Sequence, residues 1–114
     1  MAHLLQSEIY KKVRLKPENL DVIVTAFNNN FKQGDSLWIF GSRVDLTARG
    51  GDIDLYIETS ETDPDLLYDK KIKFTLEIWK GIGEQKIDVV LRLIKNDFEL
   101  PIYNVALENG IKLV

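Results

Sequence analysis

Apolar positions along the chain change their period several times, and each change predicts an element. From Pro17 to Phe31 the residues Leu20, Ile23, Val24, Phe27 and Phe31 recur at three and four, one stripe of an amphipathic helix. Pro17 suits a first helical turn and Glu18 the positive end of the helix dipole. Asn28, Asn29 and Asn30 predict a fraying end, and Gly34 and Asp35 a turn. The apolar run from Ser36 to Phe40 has strand length and stops at Gly41; Ile53 to Ile57 is a second strand-like run. Between them a polar spacer, Arg43 to Gly51, predicts a short helix from Ser42 to about Leu46 and a loop through Arg49, Gly50 and Gly51.

Thr59 to Pro64 reads as a polar turn and Asp65 to about Lys80 as a second long helix ended by Gly81 and Gly83. Its apolar residues do not form one clean stripe. Leu66, Leu67, Ile72, Leu76 and Trp79 fit helical spacing imperfectly, and Tyr68, Phe74 and Ile78 lie elsewhere around it, which predicts packing on a sheet and on something else. Lys86 to Leu93 is a third strand with Ile87, Val89 and Leu91 opposite Asp88 and Val90. Asn96 to Asn109 predicts a last helix, started or broken by Pro101, with Ile102, Val105 and Ala106 as its apolar face and Gly110 as its cap; Ile111 to Val114 predicts a short strand. The first 15 residues are a lead-in that reads as extended or helical. Strands and helices in this order predict an α+β protein, a small mixed β-sheet packed against helices, as a single domain over residues 1–114.

Composition narrows the function. A chain of 114 residues can hide roughly 65% of its unfolded surface, enough for one core and too little for a separate substrate-recognition domain. Net charge is −3, against a surface built to coat DNA or RNA, which would be basic. The absence of cysteine excludes disulfides and thiolate zinc sites. His3, the one histidine, reads as a tail residue rather than a ligand. No apolar run reaches the roughly twenty residues needed to span a bilayer, and Met1 to Gln6 is too short for a signal peptide, so a cytoplasmic protein is expected.

The candidate chemistry lies where the first two strands meet. A glycine after a strand lets backbone N–H groups approach an anion closely, and a helix starting at Ser42 would aim its first N–H groups the same way. Period-two alternation puts Asp52 and Asp54 on one face, and paired carboxylates are hard oxygen ligands suited to Mg²⁺. Each piece has an ordinary reading: a serine-capped turn, a solvated strand face, and for Asp88 a buried carboxylate paired with an arginine. Arg43 and Arg49 are either phosphate partners or solvated loop residues, the second reading being preferred for Arg49.

Phe40-Gly41-Ser42, nine residues, then Asp52-Ile53-Asp54-Leu55 resembles the signature of the DNA polymerase beta-type nucleotidyltransferase superfamily. Lys86-Ile87-Asp88-Val89 supplies the third carboxylate in the right order, and the compact size and the helix–glycine–apolar ending resemble the minimal nucleotidyltransferases. The resemblance spans roughly Leu37 to Leu93. It implies a polymerase beta-like fold and Mg²⁺-dependent transfer of a nucleoside monophosphate, AMP from ATP, to an acceptor hydroxyl. It also implies that Asp52 and Asp54 hold two Mg²⁺ ions, and that Asp88 completes the site nearest the acceptor and helps deprotonate its hydroxyl. Gly41 and Ser42 would bind the β- and γ-phosphates, with Arg43 as a further phosphate partner.

Only about twenty residues follow the third strand, where larger members carry an acceptor-gripping helical domain. The acceptor must then be held by another chain, by a dimer mate, or not at all. Minimal members often pair with a small helical HEPN-type protein, some as antitoxins that adenylylate it. The competing readings are an inactive nucleotide- or partner-binding module of the same fold, and transfer to a small molecule such as an aminoglycoside antibiotic.

Overall fold

The computed structural model describes residues 7–96 and 99–114. The expectations for His3 and for Met1 to Gln6 lie outside the described residues. The lead-in is helical rather than extended: α1 spans Ser7–Lys12. The first amphipathic helix, α2, spans Pro17–Asn30 and buries Leu20, Ile23, Val24, Ala26 and Phe27. Each large apolar side chain hidden in this way contributes about 1.5–3 kcal/mol relative to exposure.

Four strands lie where the sequence places them: β1 (Ser36–Phe40), β2 (Ile53–Thr59), β3 (Ile87–Leu93) and β4 (Ile111–Lys112). They form one mixed sheet in the order β3-β2-β1-β4. β1 pairs antiparallel with both β2 and β4, whereas β2 and β3 are parallel. A parallel pair needs a crossover, and α3 (Pro64–Ile82) supplies it. The protein is thus α+β, a small mixed sheet with helices packed on it, as the sequence predicts. No helix among the described residues is long and apolar enough to cross a membrane.

The two faces of the sheet are built differently. One carries Leu37, Ile39, Ile53, Leu55, Ile57 and Val89 against α2 and α3, forming the main core. Phe31 stacks on Phe27 at 5.1 Å and meets Phe74 of α3 edge-on at 5.7 Å, tying the two helices together. The other face carries Trp38, Phe40, Tyr56 and Val90 against Tyr103 and Ala106 of α4 (Pro101–Asn109). β1, central and covered on both sides, buries Leu37 to Phe40 without a break.

Several boundaries move from their expected places for identifiable reasons. β2 runs to Thr59, because the buried Asp35 accepts the Thr59 hydroxyl at 2.8 Å and pulls the strand end inward. α3 begins at Pro64, capped by Asp63, whose Oδ1 accepts N–H groups from Asp65 and Leu66. It passes through Gly81, where a β-carbon would come within 2.5 Å of Val22 on α2, so that glycine is a packing residue rather than a terminator. The buried face of α3 is Leu67, Phe74 and Ile78, not the Leu66–Ile72–Leu76 set, whose members are exposed. α4 starts only at Pro101 and buries Tyr103 and Ala106, leaving Ile102 and Val105 exposed.

Candidate active site

β1 delivers Phe40 opposite Asp54 of β2, and β2 delivers Asp54 opposite Asp88 of β3. Alternation then sets Asp54 and Asp88 on the α4 side of the sheet, at the end that α4 leaves uncovered. Asp88 is exposed and Asp54 half-buried. The expectation of Asp88 as a buried carboxylate is therefore corrected: β3 is an edge strand, and among the described residues nothing covers its Asp88 end. Among the described residues no lysine or arginine reaches ion-pair distance of Asp88, so its arginine-paired reading also falls.

Gly41 turns the chain directly beside Asp54. Its φ of 75° lies in the left-handed region, which side chains other than glycine adopt at a cost of about 1–2 kcal/mol. A β-carbon there would overlap Oδ2 of Asp54. The close approach of backbone to carboxylate is thus possible only with glycine. Gly51 repeats the device across the loop: at φ 93° it sits where a β-carbon would overlap the hydroxyl of Ser42. The Ser42 hydroxyl in turn lies 3.4 Å from the carbonyl of Asp52. The short helix expected from Ser42 to Leu46 is a single 3-10 turn, Gly41–Val44, because Asp45 draws the chain into a turn with the Thr47 N–H and hydroxyl.

Two arginines brace this loop. Arg14, from the lead-in, donates to the carbonyls of Ser42 (2.7 Å), Asp45 (2.8 Å) and Gly50 (2.8 Å). Arg43 donates to the carbonyls of Arg14 and Gly51, both at 3.0 Å. Arg43 is therefore engaged in holding the loop rather than facing the carboxylates. Sequence reasoning missed Arg14 altogether; in an ambiguous lead-in it is one cation among Lys11, Lys12 and Lys16, and its partners lie 28 to 36 residues away.

The electrostatics are those of crowded acids. Burial pushes the Asp54 carboxyl up, and the neighbouring charges of Asp88 and then Asp52 push it further, with Lys86 opposing. Asp52 stands one residue before β2 and pairs with Lys86 at 3.4 Å; the hydrogen bond to Asp52, and then its charge, raises the Lys86 ammonium. The backbone explains the pairing: the N–H of Ile53 donates to the carbonyl of Lys86, extending the parallel ladder by one step. Asp54 and Asp88 thus face one another, while Asp52 lies beside them with its carboxylate on Lys86. Among the described residues no group of three or more His, Cys, Asp or Glu side chains is gathered tightly enough to hold a metal ion in this arrangement. The donor chemistry, hard carboxylate oxygens in excess over nearby cations, is of the kind that binds Mg²⁺.

No family model matches this chain, and a search of curated proteins finds no significant match.

Proposed function

We propose that the protein is an Mg²⁺-dependent nucleotidyltransferase of the polymerase beta-like kind. It moves a nucleoside monophosphate, AMP from ATP, to an acceptor hydroxyl in the cytoplasm. One observation carries the reading: Gly41 is pressed against Asp54 while Asp54 faces Asp88. A positive-φ glycine beside a pair of mutually repelling carboxylates makes little sense as stabilising structure. Two like charges 4 Å apart cost about 4 kcal/mol at an effective dielectric near 20. It makes sense as a place where phosphate and cation meet.

In this reading Asp54 and Asp88 hold the cations, joined by Asp52 once it lets go of Lys86. Bound divalent ions would neutralise the transferring phosphate and align the attacking and leaving oxygens. The chain's own groups do the rest. Gly41 exposes backbone to the phosphates, and Ser42 offers its hydroxyl. Arg14 and Arg43 keep that loop in place. Asp88, exposed at the sheet edge, accepts the proton of the acceptor hydroxyl. Among the described residues Asp88 lies exposed at that edge; in this reading the acceptor is presented by another chain, and a small helical HEPN-type protein is the proposed partner.

The Lys86–Asp52 ion pair favours a second reading, a module of the same fold that binds nucleotide or partner without turnover. Incubation with ATP and Mg²⁺, with and without the product of a neighbouring gene, separates the two. Pyrophosphate release and a gain of one nucleotide in mass, lost in Asp54→Asn and Asp88→Asn, support transfer. Undiminished transfer in both variants rejects the site.

A further inference from the structure

The long crossover helix has an apolar flank that the described residues leave exposed. Leu67, Phe74 and Ile78 face the core, while Glu77 and Gly81 face α2 through Asn29, Asn30 and Val22. On the opposite flank Tyr68, Ile72, Thr75 and Trp79 recur at four, seven and eleven, one continuous stripe. Tyr68 is 65% exposed, Ile72 39% and the adjoining Leu76 48%. These residues, with Lys71 at the other edge, line an open and largely apolar groove of about 380 Å³. An isolated exposed leucine needs no explanation, but a contiguous helical stripe does.

The charges along its margin say what covers it. Asp65, Asp69, Lys73 and Lys80 run down one edge of the stripe, acidic in the first half of the helix and basic in the second. All four are exposed, and among the described residues none has an ion-pair partner. Reversed on itself, this row sets Asp65 and Asp69 near Lys80 and leaves Lys73 close to the centre. A two-fold axis crossing α3 between residues 73 and 74 lays Tyr68 on Trp79 of a second copy and Ile72 on its Thr75. The same axis brings Asp65 and Asp69 to the mate's Lys80. The apolar pairs and the Asp65/Asp69–Lys80 pairs share that axis, as an isologous interface requires, while Lys73 lies next to its own copy and keeps its ammonium in solvent. The geometry points to a homodimer formed by antiparallel packing of α3 against α3.

One helix flank from each copy buries on the order of 800 Å² in total, in the range of weak, reversible association. The dimer places both carboxylate sites outward, because α3 covers the face of the sheet opposite Asp54 and Asp88. It stands whether or not those carboxylates catalyse anything.

Sedimentation velocity on the full chain from about 5 to 500 μM tests it. The expected result is a monomer–dimer equilibrium with Kd in the tens of micromolar. Ile72→Glu, at the centre, weakens it about a hundredfold. Asp69→Lys and Lys80→Asp each weaken it about tenfold, since symmetry repeats each repulsion twice. The Asp69→Lys/Lys80→Asp double variant restores the wild-type Kd. These positions are exposed, and unchanged thermal melts identify variants that fold; should Ile72→Glu fail to fold, the charge-reversal pair decides. A chain that stays monomeric to 500 μM overturns the proposal. So does a dimer indifferent to these changes, or charge reversals that do not rescue one another.

Discussion

Gly41 lies so tightly against Asp54 that any β-carbon at position 41 would overlap the carboxylate and come within 3.1 Å of its carboxyl carbon. Backbone conformation and side-chain contact make the same demand there. Gly41→Ala is expected to destabilise the fold by about 2–4 kcal/mol, from left-handed strain plus overpacking. It should also displace Asp54. Urea denaturation reads the first effect and ATP turnover the second; a variant as stable and active as wild type would remove the tight turn from the site.

Asp54 is a liability to the fold in the absence of cations. Its folded carboxyl is raised, first by burial and then by Asp88 and Asp52. The folded state therefore holds this proton to higher pH than the unfolded chain does. The penalty is absent below the ordinary carboxylate range near 4, appears as pH rises through it, and is constant above the raised folded value. Asp54→Asn should then raise the melting temperature of the chelator-treated protein at pH 7. The gain should fade as pH drops toward 4. Melting curves at several pH values check it, and a variant less stable at pH 7 contradicts it.

Arg14 ties the lead-in to the site loop through three carbonyls. Hydrogen bonds from a charged donor contribute about 1.5–3 kcal/mol each and overlap when they share one group. Arg14→Ala is expected to cost about 2–3 kcal/mol and to speed amide exchange between residues 42 and 52. Lysine, lacking the planar fork, should not rescue it. Unchanged exchange in that segment would mean that the loop holds itself.

Glu61 anchors the start of α3. Its carboxylate accepts the N–H groups of Thr62 and Asp63 and pairs with Lys70 at 3.2 Å and Lys32 at 3.4 Å. The Asp63 N–H, then Lys70, hold its carboxyl down at about 2, below the ordinary 4.5. A depressed carboxyl stabilises fully above the unfolded value and loses that contribution as pH falls toward 2. Glu61→Gln should therefore melt lower than wild type at pH 7, and the two curves should converge in acid. A constant gap from pH 7 down to pH 2 would argue that packing, not charge, is what the variant loses.

The element order and the shared sheet face of Asp54 and Asp88 were legible in the sequence because they depend on local pattern. Alternation marked β1, β2 and β3, with Asp54 and Asp88 on the sheet face that also carries Tyr56 and Val90. The abrupt glycine after Phe40 marked the turn. What alternation could not give is which strand lies at an edge. Asp88 looked buried because its neighbours are β-branched, yet β3 closes the sheet and leaves it open. Nor could spacing choose among the apolar faces of α3, since all are helical; only the position of α2 and the sheet selected Leu67, Phe74 and Ile78.

The sequence by itself determined the α+β class, the strand–glycine–serine turn and the three carboxylates in order, because period and composition act over a few residues. Only the tertiary structure decided that Arg14 and Arg43 brace the loop, that Lys86 holds Asp52, and that Tyr68, Ile72 and Leu76 of α3 stay exposed among the described residues. Those facts join residues far apart along the chain, and their cause is the register and layering of the sheet, which no local pattern encodes.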